Sequence, residues 1–170
     1  QYEVYRNMYE ALGVKDIDLI LKKPPAPMPK DPALEHIDAL AGMPFRAYPG
    51  QDHRAHITAH LNFLATNLVR NAPTVGAAIE KNCLEHISLM AQEQIELEFK
   101  DELPQLMQMQ QQAQMNPQLA QQNPQMQQQM QQLQQKIDAR KAVLIAEMME
   151  DFMKEEKKIT SQFDHDPIAK

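Results

Sequence analysis

The segment PGQDHRAHITAHLNFL, residues 49–64, places Asp52, His53, His56 and His60 within nine positions. Imidazole nitrogens and carboxylate oxygens are donors that zinc and its neighbours in the first transition row accept, and histidine also relays protons at physiological pH. Spacing limits what these residues can do together. His53 and His60 stand two helical turns apart, about 10.5 Å along the axis, too far for both to reach one ion through bonds of about 2 Å. His56 and His60, at i and i+4, can chelate as a pair. A third and fourth donor must come from another element, and the run CLEH offers Cys83 and His86 at i and i+3. A metal would therefore select His56, His60, Cys83 and His86.

A simpler account competes with that one. Ile57, Leu61, Leu64, Ala65 and Leu68 recur at helical spacing and form the apolar stripe of this segment. At 100° per residue, the three histidines fall roughly 40 to 110° to one side of the stripe's centre. That is a boundary position between core and solvent, where histidine is common. Asp52 reads as a helix cap that accepts backbone N–H groups, and Cys83 lies at the centre of the next helix's apolar stripe, where cysteine acts as a small core residue. The expectation is that no metal and no cofactor is bound.

Catalytic patterns are absent as well. Nothing around Cys83 or Ser88 would activate a nucleophile. The four glycines, at 13, 42, 50 and 76, form no phosphate-binding loop. Glu96 with Glu98, and Asp101 with Glu102, read as a solvated helix face. The sequence points away from an enzyme.

The elements that must position the histidines are all helical, since no alternation of strand type occurs. Residues 1–23 form an N-terminal helical segment, with Tyr2, Tyr5, Tyr9 and Leu12 as a stripe to be buried and Gly13 as its stop; helix begins at the second residue, so a longer chain is expected upstream. Residues 24–32 are a Pro-rich connector, with prolines at 24, 25, 27, 29 and 32. A spacer suits this composition better than a ligand for an SH3-type domain. Residues 33–103 are the helical core, in which Asp31 caps one helix, Gly42 ends it, and a long helix over about 74 to 103 buries Val75, Ile79, Cys83, Ile87, Ala91 and Ile95.

Composition changes sharply at residues 104–131, a Gln/Met-rich low-complexity segment; Gln105 to Gln135 holds 17 glutamines and five methionines without a charge. It is either disordered or a helix that packs beside others. Residues 132–160 form a C-terminal amphipathic helix in which Leu133, Ile137, Leu144, Met148 and Phe152 mark a near-heptad seam suited to contacts between subunits, and residues 161–170 are a tail. The fold class is thus all-α: antiparallel helices followed by a long extended C-terminal helix. A net charge of -6 and the lack of a basic run argue against tight binding to nucleic acid. One cysteine leaves no internal disulfide, and no apolar run is long enough to span a membrane.

The runs YRNMYEALGVKDIDLILKKPPAPMPKDPALEHIDALAG, FRAYPGQDHRAHITAHLNFL and LEHISLMAQEQIELE together resemble the C-terminal part of the portal, or head-tail connector, proteins of certain tailed bacteriophages. The resemblance covers roughly residues 2 to 98, and YPGQDHxAHIxAH is its most specific element. It implies a structural homo-oligomer, a dodecameric ring at a capsid vertex. Double-stranded DNA would pass through its channel during packaging and ejection without sequence-specific binding. It further implies helical crown or barrel elements, the packaging terminase and the tail adaptor as partners, and the virion as location, with assembly in the host cytoplasm. No catalytic residue is carried over. Two alternatives stand beside it: a phage scaffolding or adaptor-type helical interaction protein, and a zinc-binding helical domain.

Overall fold

The computed structural model describes residues 2–21, 28–118 and 123–165, and among these all regular secondary structure is helical. In chain order the helices are α1 (Tyr2–Ala11), α2 (Ile17–Ile20), α3 (Pro32–Leu40), α4 (His53–Leu64), α5 (Asn67–Arg70), α6 (Pro73–Glu98), α7 (Glu102–Met115) and α8 (Pro124–His165). The boundaries follow from local chemistry. Asp31 accepts from the Ala33 N–H at 2.9 Å and Asp52 from the Ala55 N–H at 3.0 Å, so α3 and α4 each start on a carboxylate cap. Pro32 and Pro73 occupy first-turn positions, where a missing N–H is harmless. Gly42, at φ 67°, takes the left-handed conformation that closes α3.

The long helix expected over 74–103 is two helices. Pro104 would clash with the carbonyl of Lys100 in a continuous helix, and the chain ends α6 at Glu98 and restarts at Glu102 with Pro104 in the new first turn. Leu68 is also displaced from its expected place. Because α4 stops at Leu64 and a separate turn of helix begins at Asn67, the register shifts: Leu68 is 58% exposed and Val69 is buried instead.

Helix α8, 42 residues and so about 63 Å long, is the spine of the molecule. Its first half runs antiparallel to α7, with Lys136 against Glu102. Its second half runs antiparallel to α6, where Arg140 forks onto both Glu98 oxygens at 2.7 and 2.9 Å and Lys141 donates to Gln92. Beside α6, and also packed on α8, lies α4, antiparallel to α6, since its start meets His86 and Glu93 and its end approaches Gly76. The Gln/Met-rich segment is therefore helical where described: Leu106 is buried against α8, and Leu103, Met130 and Leu133 pack around it.

The seam residues Leu133, Ile137, Leu144, Met148 and Phe152, the candidates for subunit contacts, all pack against α4, α6 or α7 of the same chain, with Leu133, Met148 and Phe152 half-buried. The stripe of α1 is largely open among the described residues, where α1 packs on α2: Tyr5 is 51% and Leu12 74% exposed, and Tyr9 is half-buried. Prolines 24, 25 and 27 of the connector lie outside the described residues.

The spine makes a direct prediction. Leu144 is 5% exposed and sits among Ala91, Ile95 and Ile137, so Leu144→Ala is expected to cost about 2–5 kcal/mol in urea unfolding. Leu97→Ala, at a residue 71% exposed on the outer face of α6, should change it by less than about 0.5 kcal/mol.

Candidate metal centre

The histidines of α4 are interior residues. His53 is 3%, His56 7% and His60 0% exposed, although a wheel of α4 alone puts them at the margin of its stripe. The reason is a second neighbour. The stripe itself faces α6 and α8, while α3 lies over the adjacent face, so the margin between the two becomes a junction of three helices.

What fills that junction is a cluster of polar side chains from α3, α4 and α6. Glu35, His56, His60 and His86 are all buried, and each can present one donor atom such that all four atoms lie within 4.8 Å of one another. His56 Nδ1 donates to Glu35 Oε2 at 3.1 Å, and His60 Nε2 stands 3.2 Å from the same oxygen without hydrogen-bond alignment. Of the residues singled out by spacing, His56, His60 and His86 come together here. Cys83 does not join them: it faces Ala39, Val69, Val75 and Ile79 on another side of α6, and burial pushes its thiol up to about 12, which leaves it inert.

Around the four residues lies a layer that orients the rings. His53 Nε2 meets Glu93 Oε1 at 3.2 Å, and a carboxylate can only accept, so this nitrogen donates. In a neutral ring His53 Nδ1 must then accept from His86 Nδ1–H, 2.8 Å away. The consequence is a bare lone pair on His86 Nε2. His60 is held in a similar way, its Nδ1 2.9 Å from His36 Nε2, and the His36 ring stacks on Phe63 at 4.0 Å. Glu93 is fixed in turn by the Gly50 N–H at 2.7 Å, the principal cause of its lowered pKa, with His53 contributing.

The turn before α4 belongs to the same construction. Gly50 adopts φ 78°, a conformation glycine tolerates and side chains resist. That aims its N–H at Glu93. Gln51 accepts from the Tyr48 N–H at 2.7 Å and donates to the Lys30 carbonyl at 3.2 Å, joining the turn to the segment that leads into α3. Lys30 also pairs with the buried Asp38. The run YPGQDH is thus one device that sets the angle of α3 and α4 around the cluster.

Three atoms in the cluster lack any hydrogen-bond partner: Glu35 Oε1, His60 Nε2 and His86 Nε2. A buried polar atom left unsatisfied costs about 1–3 kcal/mol, so three at one point mark a place suited to an occupant. Asn82, one turn before His86 on the same face of α6, is 2% exposed and also unpartnered at both side-chain atoms.

Sequence reasoning missed Glu35, His36 and Glu93. A signal for the first two exists, because Leu-Glu-His-Ile occurs twice, at 34–37 and 84–87. The copies are used differently: Glu35 turns inward from the first and His86 from the second, while Glu85 accepts from the Ala47 N–H at 3.1 Å.

No protein-family model, no curated protein and no solved structure matches this chain.

The cluster sets a pH dependence on the metal-free chain. Burial, helped by His60 for His36 and by His56 for His86, lowers their pKa values from 6.5 to about 4 and about 3 respectively. Below pH 6.5 the unfolded chain therefore binds more protons than the folded one, and stability must fall with falling pH. With metal stripped by chelator, the urea midpoint should be level above pH 6.5 and decline towards pH 4. A midpoint that stays constant over that interval would contradict the burial of neutral rings.

Proposed function

We infer that this chain is the C-terminal helical module of a tailed-bacteriophage portal protein, a structural part of the ring through which double-stranded DNA is packaged and ejected. Support from the sequence is the portal-like run over roughly residues 2 to 98. Within it, the segment YPGQDHRAHITAH builds the junction of α3, α4 and α6, so its most specific residues carry the packing of the module.

The geometric observation that carries an assembly role is a pair of apolar stripes that stay about half or more exposed among the described residues. Val4, Met8 and Leu12 on α1 are 60%, 55% and 74% exposed, and Leu34, Ile37 and Leu40 on α3 are 52%, 57% and 47% exposed. Stripes of this kind are uncommon on a lone monomer and mark contact surfaces. In a ring they would be covered by neighbouring copies. These stripes add α1 and α3 to the seam of α8 as candidate surfaces for subunit contacts.

The remaining surface suits a channel component with no chemistry of its own. The chain carries a net charge of -6. An acidic wall lets DNA pass without holding it. Partners in this reading are further copies of the chain, the packaging terminase and the tail adaptor, and the location is the portal vertex of the virion. No helix among the described residues is long and apolar enough to cross a membrane.

Light scattering on the purified chain at two concentrations tests the reading. The expected result is a ring-sized or concentration-dependent mass. Ile37→Glu with Leu40→Glu should weaken association by more than about tenfold, the equivalent of ~1.4 kcal/mol, while leaving helix content unchanged. A monomer at both concentrations would overturn the assembly reading.

A further inference from the structure

Two of the cluster's rings, His60 and His86, are held from outside and open towards its centre, while the third, His56, meets Glu35 through Nδ1 and has Gln51 3.5 Å from its Nε2. His60 has one nitrogen engaged by His36 and the other, Nε2, without a partner. His86 has Nδ1 engaged by His53, itself anchored on Glu93, and Nε2 without a partner. Glu35 adds an unpartnered Oε1, and it is 1% exposed, against 0% for His60 and His86. Metal-ligating histidines show this pattern: the far nitrogen is fixed by a carboxylate, another ring or a carbonyl, and the near nitrogen presents a lone pair.

We propose that Glu35, His56, His60 and His86 bind one divalent transition-metal ion of the zinc class, as a closed structural site that fastens α3 to α4 and α6. The donor set is three imidazole nitrogens and one carboxylate oxygen, a borderline set that suits zinc and excludes the all-oxygen preferences of calcium and magnesium. The separations are compatible. Tetrahedral bonds of about 2.0–2.1 Å set donors about 3.3 Å apart, and atoms now within 4.8 Å of one another reach that spacing through small side-chain rotations. His56 and His60 share one face of α4 a single turn apart, His86 comes from α6 and Glu35 from α3, so the four ligands draw three helices to one point.

Burial decides between a structural and a catalytic role. With the four residues 0–7% exposed, four protein donors close the coordination sphere and leave no position for substrate. The ion would supply attachment rather than reaction. Helix α3 gains most: it follows the Pro-rich connector, and Glu35 is its contribution to the cluster. This inference does not depend on the portal reading, and light scattering and metal binding report on the two separately.

The test is metal titration of the whole chain after treatment with a chelator, using Zn(II) and, as a spectroscopic probe, Co(II). One equivalent per chain is expected, with the intense visible absorption of four-coordinate Co(II) and a rise in thermal midpoint when metal is restored. His60→Ala should abolish the absorption. Glu93→Gln changes a half-exposed residue outside the cluster and should leave the chain folded while weakening affinity about 10- to 100-fold through the loosened His53–His86 pair. Cys83→Ala should leave the stoichiometry at one. A chain that takes up neither ion, or whose binding is unchanged by both His60→Ala and Glu93→Gln, would overturn the proposal.

Discussion

The burial of four imidazoles and two carboxylates at the meeting of three helices is the constraint around which the rest of this molecule is arranged. Glu35, Asp38, His53, His56, His60 and His86 are all under 9% exposed, and polar groups taken out of water must find partners inside. Each requirement recruits another residue. His86 needs His53, His53 needs Glu93, and Glu93 needs the Gly50 N–H, so a chain of hydrogen bonds runs from the interior of α6 back to the turn before α4. Asp38 meets Lys30 at the start of α3. The loop geometry between α3 and α4 is in this sense dictated by the cluster: a turn that failed to present Gly50 would leave Glu93 free and the rings unfixed.

The apolar part of the fold has a different logic. Helix α8 is long enough to serve two shorter helices in succession, and the break forced by Pro104 divides what it covers into α6 and α7. Met148 and Phe152 pack in more than one cluster of core residues, which makes the apolar interior continuous along the spine. The polar junction lies where α3 and α4 meet α6. Apolar packing therefore holds α8 to α6, and polar pairing holds α3 to α4. The second attachment is the more sensitive to chemistry, because burial lowers the pKa values of His36 and His86 and their protonation would disturb it.

Much of this was legible residue by residue. The carboxylate caps at Asp31 and Asp52, the stop at Gly42 and the seam of α8 follow from short-range rules that need no knowledge of the partner. The seam's partner was not legible, because a heptad period records that a face is covered and not whose chain covers it. The site was half legible. His56, His60 and His86 announce themselves by type and spacing, but a glutamate in an amphipathic helix reads as a surface residue, so Glu35 was hidden until α3 was placed. Cys83 misled for the converse reason: it has a ligand's chemistry, and standing about 60° round the helix from His86 it is taken up by an apolar cluster.

The location of the exposed stripes then acquires a physical meaning. Glu35 and Ala39 face inward from α3, while Leu34, Ile37 and Leu40 face outward from the same nine residues. A helix this short has little stability alone, so its outer stripe can be presented in a fixed orientation only if its inner face is firmly held. The inner face holds through Glu35 to His56, His36 to His60 and Asp38 to Lys30, with Ala39 in the apolar cluster of α6. Whatever strengthens the cluster sharpens the surface on the opposite side of α3. A polar junction in the interior and an apolar contact surface outside are thus two faces of one helix, and the energy of the first sets the definition of the second.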